Sequence, residues 1–142
     1  MSVEALLDTS AWARLRDGRL DTTAVFRGLA AGSIGLCEPL LLEMRYSARN
    51  AADFRALAEE LDALPLLKLS PVAVRRAVVA QAELAGDARV SHRVKPIDLF
   101  VAAAADEHGV AVLHYDHDYD VLSEHTSLAF ASRWVAARGS LT

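Results

Sequence analysis

The sequence predicts an α/β fold in which helices cover both faces of a mainly parallel sheet of four or five strands. Three observations predict it. Short apolar runs alternate with longer amphipathic stretches, which is the pattern of strand–helix–strand units. Pro39, Pro71 and Pro96 stand where helices begin, and Gly18, Gly32, Gly86 and Gly109 where they end, as helix caps require. Two of the apolar runs finish in aspartates, Asp8 and Asp116, and open α/β sheets bind their ligands beyond the carboxyl ends of their strands.

Taken in order, residues 3–7 form a first strand closed by Asp8. Thr9 or Ser10 caps the next helix, which carries Ala11, Trp12 and Leu15. Thr22 or Thr23 restarts a helix to Ala31, with Val25, Phe26 and Leu29 on one face. Residues 33–37 are a second strand, and Pro39 opens a helix whose apolar side holds Leu40, Leu41, Met44 and Ser47, with Glu43 among them. Residues 51–64 place Phe54, Leu57, Ala58 and Leu61 at helical spacing until Pro65 breaks the pattern. Residues 66–69 read as a third strand, and Ser70-Pro71 opens a helix to Ala85. Residues 86–95 form a polar loop with Arg89, His92, Arg93 and Lys95. The most apolar helix follows over 97–108, its alanines suited to close packing at the centre of the fold. Val110 to Leu113 is a buried strand, and residues 128–130 are a short final one.

Composition narrows the function. The chain has 142 residues, suited to one domain over 1–142, and is 53% hydrophobic and 24% charged, as globular proteins are. A net charge of −4 supplies no global field for nucleic acid, so any such contact needs a local basic patch. The single cysteine, Cys37, allows no intrachain disulfide and fits a reducing, cytoplasmic compartment. No secretory pattern is visible, and the longest apolar run, over 99–105, is too short to span a membrane.

The stretch His114-Tyr115-Asp116-His117-Asp118-Tyr119-Asp120 is the conspicuous one. Three acids at alternate positions repel one another unless a cation or proton neutralises them. Asp8 and Asp116 end strands that, as parallel neighbours, would face one crevice. Asp98 lies in the first turn after Pro96, where the helix N-terminus favours a carboxylate. Glu43 is costly on an apolar face unless paired or ligating. Each acid also has an ordinary reading: Asp8 as a helix cap, Asp98 as a first-turn acid, Glu43 paired with Arg45 or Arg49, Asp120 as a cap or a solvated group. Their convergence on one predicted rim favours a shared site. Oxygen-only ligation suits Mg2+ or Mn2+, and such an ion assists phosphodiester hydrolysis by activating water and steadying the leaving oxygen. The loop cations Arg89, His92, Arg93 and Lys95 adjoin Asp98 and suit phosphate contacts.

Four segments stand out together: Leu6-Leu7-Asp8-Thr9-Ser10-Ala11, Leu41-Leu42-Glu43-Met44, Lys95-Pro96-Ile97-Asp98-Leu99-Phe100-Val101-Ala102-Ala103-Ala104 and Leu113-His114-Tyr115-Asp116-His117-Asp118-Tyr119. In this order they resemble the PIN-domain ribonucleases, and most of all the VapC toxins of toxin–antitoxin pairs. The resemblance implies a three-layer α/β/α sandwich and a Mg2+-dependent endoribonuclease of a type II pair, with Mn2+ able to substitute. It also implies an RNA substrate, a small VapB-like antitoxin and a homodimer. By position, Asp8, Glu43, Asp98 and Asp116 become the acidic quartet, Asp118 an accessory ligand, and Ser10 a hydroxyl near the metal. The alternative is a non-catalytic PIN-like module that binds RNA or protein around a structural cation. Other motifs fit less well. A calcium loop starting at Asp116 would need Gly where Val121 stands. His114 and His117 lack the further ligands of a zinc site.

Overall fold

The two central strands arise from apolar runs too short for helices. The computed structural model describes residues 2–141. Its elements, in chain order, are β1 (Ala5–Leu7), α1 (Thr9–Trp12), α2 (Thr23–Ala31), β2 (Ile34–Gly35), α3 (Glu38–Tyr46), α4 (Ala51–Asp62), α5 (Pro71–Ala85), α6 (Pro96–His108), β3 (Ala111–His114), α7 (Asp118–His125) and β4 (Ser132–Trp134). The four strands lie in the order β2-β1-β3-β4, all pairs parallel, with helices flanking them in an α/β/α sandwich. The register pairs Leu7 with Leu113, so β1 and β3 end side by side. Asp8 continues the ladder by donating its N–H to Leu113 O at 2.9 Å. The two aspartate-bearing strand ends therefore open on the same edge of the sheet.

Helix α6 is the central one. Its Ala102, Ala103, Ala104 and Ala105 are fully buried, and it packs against α3, α5, α7 and the middle strands. Small side chains let these neighbours approach closely. Gly109 ends it in the left-handed conformation, φ 65°, which glycine adopts without strain.

Two expectations about strands need correction. Residues 66–69 do not form a sheet strand: only Leu66 bridges to Leu36. The chain is drawn off because Leu69 N–H donates to the Glu38 side chain and Ser70 at once caps α5. Gly35 permits even this short approach, since a Cβ there would meet Pro65 O at 2.7 Å. The final strand is Ser132–Trp134, not 128–130. Helix α7 fills residues 118–125, and Leu128 packs into the core between the two elements. The cap of α1 is Asp8, not Thr9 or Ser10: its side chain accepts from Ser10 N–H.

Candidate metal centre

Three aspartates from two segments meet at the strand edge. Asp116 lies just past β3, Asp118 opens α7, and Asp98 sits in the first turn of α6. One carboxylate oxygen from each lies within 4.8 Å of the other two. The backbone explains the placement. Asp116 Oδ1 accepts the Asp118 N–H at 3.0 Å, which turns the chain from strand into helix and keeps both acids on one side. The Asp116 N–H in turn donates to His114 Nδ1 at 3.1 Å.

Asp98 is the most perturbed of the three. It is 4% exposed, and its Oδ2 is buried with no hydrogen-bond partner. Burial, then the charges of Asp8 and Asp116, push its carboxyl up to about 8; Lys95 opposes the rise and Asp118 adds to it. Burial and Asp116 raise the Asp118 carboxyl as well. An unpartnered buried carboxylate oxygen costs free energy, and a hard cation would satisfy it. The donor set is all oxygen, partly buried and open to solvent on one side, which fits Mg2+ or Mn2+.

Asp8 stands outside that three-carboxylate cluster but is wired to it. Its Oδ2 accepts from Ser10 N–H (3.0 Å) and Ser10 Oγ–H (2.6 Å). Its Oδ1 accepts from the Tyr119 hydroxyl at 2.5 Å, and that hydroxyl lies 3.3 Å from Asp98 Oδ1. Ser10 Oγ also accepts the Tyr115 N–H at 2.8 Å, tying the end of β1 to the end of β3. Tyr119 is fully buried, and its hydroxyl is raised well above the ordinary range by burial and the charges of Asp8 and Asp98. It is a neutral donor between the Asp8 and Asp98 carboxyl groups. Sequence reasoning missed it; the available signal was an aromatic three residues beyond Asp116, on the inward face of any helix starting at Asp118.

Glu43 is half-buried on α3, which packs against α1 and α6. Arg45 and Arg49 are engaged by Asp62 and Asp53, so neither takes Glu43. Of the loop cations, Lys95 stands at the N-terminal boundary of α6 without a side-chain capping bond, and its charge acts on Asp98 and Asp118. His92 and Arg93 are exposed. Arg89 is held by a two-pronged bond to Asp87, at 3.0 and 2.9 Å.

Asp120 points away from the cluster. It accepts from Ser132 Oγ (2.7 Å) and Trp134 Nε1 (2.9 Å), fastening α7 to β4. Burial opposes its ionisation, but these two bonds together with the charges of His114 and His117 hold the carboxyl low. His114 Nε2 meets Ser132 Oγ at 2.7 Å. Because Nδ1 accepts from Asp116 N–H, the neutral ring carries its proton on Nε2; burial lowers its basicity accordingly.

The PIN domain family model matches residues 5–124. "Ribonuclease VapC18" of Mycobacterium tuberculosis is 41% identical over 139 residues, covering 95% of this chain and 97% of its own. "Ribonuclease VapC51" of the same organism is 34% identical, covering 99% of both. Among solved structures, the DNA-bound VapBC of Salmonella typhimurium superposes with TM-score 0.72 at 17% identity, over 94% of this chain and 99% of that one. VapBC-5 of Mycobacterium tuberculosis gives 0.62 at 22% identity, over 93% and 97%. These two show the fold; the family model and the sequence relatives show the kinship. The chain belongs to the PIN domain family, within its VapC branch.

Proposed function

We propose that the chain is a Mg2+-dependent endoribonuclease, the toxin half of a toxin–antitoxin pair. One observation carries the chemistry: Asp98, Asp116 and Asp118 converge with a buried, unpartnered oxygen on Asp98. The names of the relatives, ribonucleases of the VapC group, support the substrate class. When bound, a divalent ion would supply an activated water and charge for the leaving oxygen.

The chain's own residues divide the remaining work. Asp98, Asp116 and Asp118 offer oxygens to the ion, and Asp8 and Glu43 complete the acidic set. Ser10 holds Asp8 in orientation. Lys95, Arg93 and His92 line the approach beside α6 and meet backbone phosphates, which position RNA without reading its sequence. Arg89 joins them only by leaving Asp87. No side chain need act as nucleophile.

The partner reading has its own support. Several structures with this fold are VapBC complexes. A groove of about 570 Å3 runs between α1, α2 and α4, lined by Trp12, Arg16, Phe26, Arg49 and Leu57. An amphipathic segment of a VapB-like antitoxin fits such a groove. A second copy of the chain would cover the exposed valines Val72, Val78 and Val79 of α5. The primary test is single-turnover cleavage of RNA with and without Mg2+, with Asp98→Asn as control. Cleavage that survives both chelation and Asp98→Asn would refute the metal mechanism.

A further inference from the structure

Tyr119 belongs to no catalytic motif, and its ring is set by packing. Its ring fills the core against His114 (centroids 4.9 Å apart) and Phe130 (6.4 Å). That packing would be served equally by phenylalanine. The hydroxyl is another matter: it is a polar group in a fully buried side chain, and it reaches two carboxylates from different elements.

An ionised carboxylate offers about four acceptor positions. On Asp8, the Ser10 N–H and Oγ–H take those of Oδ2. The Ser10 hydroxyl hydrogen is committed there, because an ionised carboxylate can only accept, while a lone pair of Ser10 Oγ accepts the Tyr115 N–H. The Tyr119 hydroxyl takes one position on Oδ1, at 2.5 Å. One position remains, on the oxygen that shares the Tyr119 hydroxyl with Asp98. Among the described residues, Asp98 Oδ2 is a further buried acceptor left open, as is Thr9 Oγ1 next to Asp8 in the chain.

We infer that the Tyr119 hydroxyl is a positioning group for the metal centre: it fixes Asp8 so that a single Oδ1 lone pair is presented on the Asp98 side. The inference rests on the metal-centre reading above and adds to it a residue whose ring alone would serve the fold. Donors that orient ligating carboxylates are worth roughly 10–100-fold in metal affinity.

The test is Mn2+ titration of the full chain, with free ion counted by electron paramagnetic resonance, on wild type, Tyr119→Phe, Asp8→Asn and the double variant. The expected result is that Tyr119→Phe weakens Mn2+ binding roughly 10–100-fold in the wild-type background. In the Asp8→Asn background the same change should have less than about a twofold effect, since the hydroxyl acts through Asp8. A role in packing alone would lower the melting temperature without this dependence on Asp8. Three results overturn the inference: unchanged affinity in Tyr119→Phe, an equal loss in both backgrounds, or a Tyr119→Phe chain that does not fold. Absence of Mn2+ binding by the wild type would instead overturn the metal-centre reading itself.

Discussion

At pH 7 the Asp98 carboxyl, pushed up to about 8, spends most of its time protonated in the metal-free protein. A divalent ion needs the carboxylate and must expel that proton. Apparent Mg2+ affinity should therefore rise with pH, by up to roughly tenfold per unit for one displaced proton, and level off above about 8. Calorimetric titrations in buffers of different ionisation heat would read the released proton directly. The sign for stability is opposite. The folded chain binds this proton more tightly than the unfolded chain, whose carboxyl titrates near 3.8. The stabilisation is complete below about 4 and is lost as pH rises through about 8. Melts of the metal-free protein should show that decline, and Asp98→Asn should flatten it. The neighbouring acids separate by geometry. Asp116 and Asp118 share the cluster, whereas Asp120 is bound to Ser132 and Trp134. Asp116→Asn should remove most cleavage, because Asp116 both offers an oxygen and sets the turn into α7. Asp118→Asn should cost roughly 10–100-fold, as an accessory position does, and recover partly in higher Mn2+. Asp120→Asn should cost least, and equal damage from Asp116→Asn, Asp118→Asn and Asp120→Asn across a metal titration would contradict this order.

Elements explain which parts of this were legible in the sequence. The helices α2, α5 and α6 follow their Pro, Ser and Gly signals to within a residue, because capping is local chemistry. Strands β1 and β3 were visible as apolar runs ended by acids. Strand β4 was not, because its residues Ser132, Arg133 and Trp134 carry no hydrophobic alternation. It is held instead by long-range polar bonds: Ser132 and Trp134 to Asp120, Ser132 to His114, and the Val135 N–H to His114 O. No single-chain pattern announces such partners. The same limit hid Tyr119, whose importance comes from meeting Asp8, more than a hundred residues earlier in the chain. The polar fastening of β4 makes a prediction of its own. Asp120→Ala removes two charge-assisted bonds at a partly exposed site, a loss of about 1–2 kcal/mol. That should lower the melting temperature by roughly 3–8 °C for a chain of this size. Mn2+ affinity below the transition should stay within about threefold of wild type, since second-sphere ligand losses are larger. A tenfold loss of affinity would mean that α7 positions Asp118 through Asp120.

Across the whole molecule, one short helix links the two regions that matter. Helix α1 begins at Asp8, in the acidic site, and ends at Trp12, in the groove. The Trp12 N–H donates to Asp8 O at 3.0 Å, so the two residues are one helical turn apart. A turn rises about 5.4 Å. A segment seated on Trp12 thus lies about one helical turn from Asp8, where, on the proposed function, it would obstruct the approach of RNA. The groove carries charge of both signs: Arg16 and Arg49 line it with Asp53 and Glu60, and Arg49 is paired with Asp53, so Arg16 is the cation best placed for an acidic position of a partner. Phe26 is the residue to change, because it is half exposed on α2, at 51%, and lines the groove without anchoring the core. Phe26→Asp should leave folding and RNA cleavage within about twofold of wild type, as surface changes do. Loss of a central aromatic anchor costs about 2 kcal/mol or more, or roughly 30-fold in affinity. In cells, the wild-type chain should arrest growth when expressed alone and be silenced by the VapB-like antitoxin proposed above. The Phe26→Asp chain should arrest growth in both conditions, and a further Asp116→Asn change should abolish the arrest. Growth measured with and without the antitoxin, beside a binding titration of the purified pair, checks each step. Full silencing of Phe26→Asp would place the antitoxin elsewhere on the molecule, and harmless expression of soluble, folded wild type would refute the toxin reading.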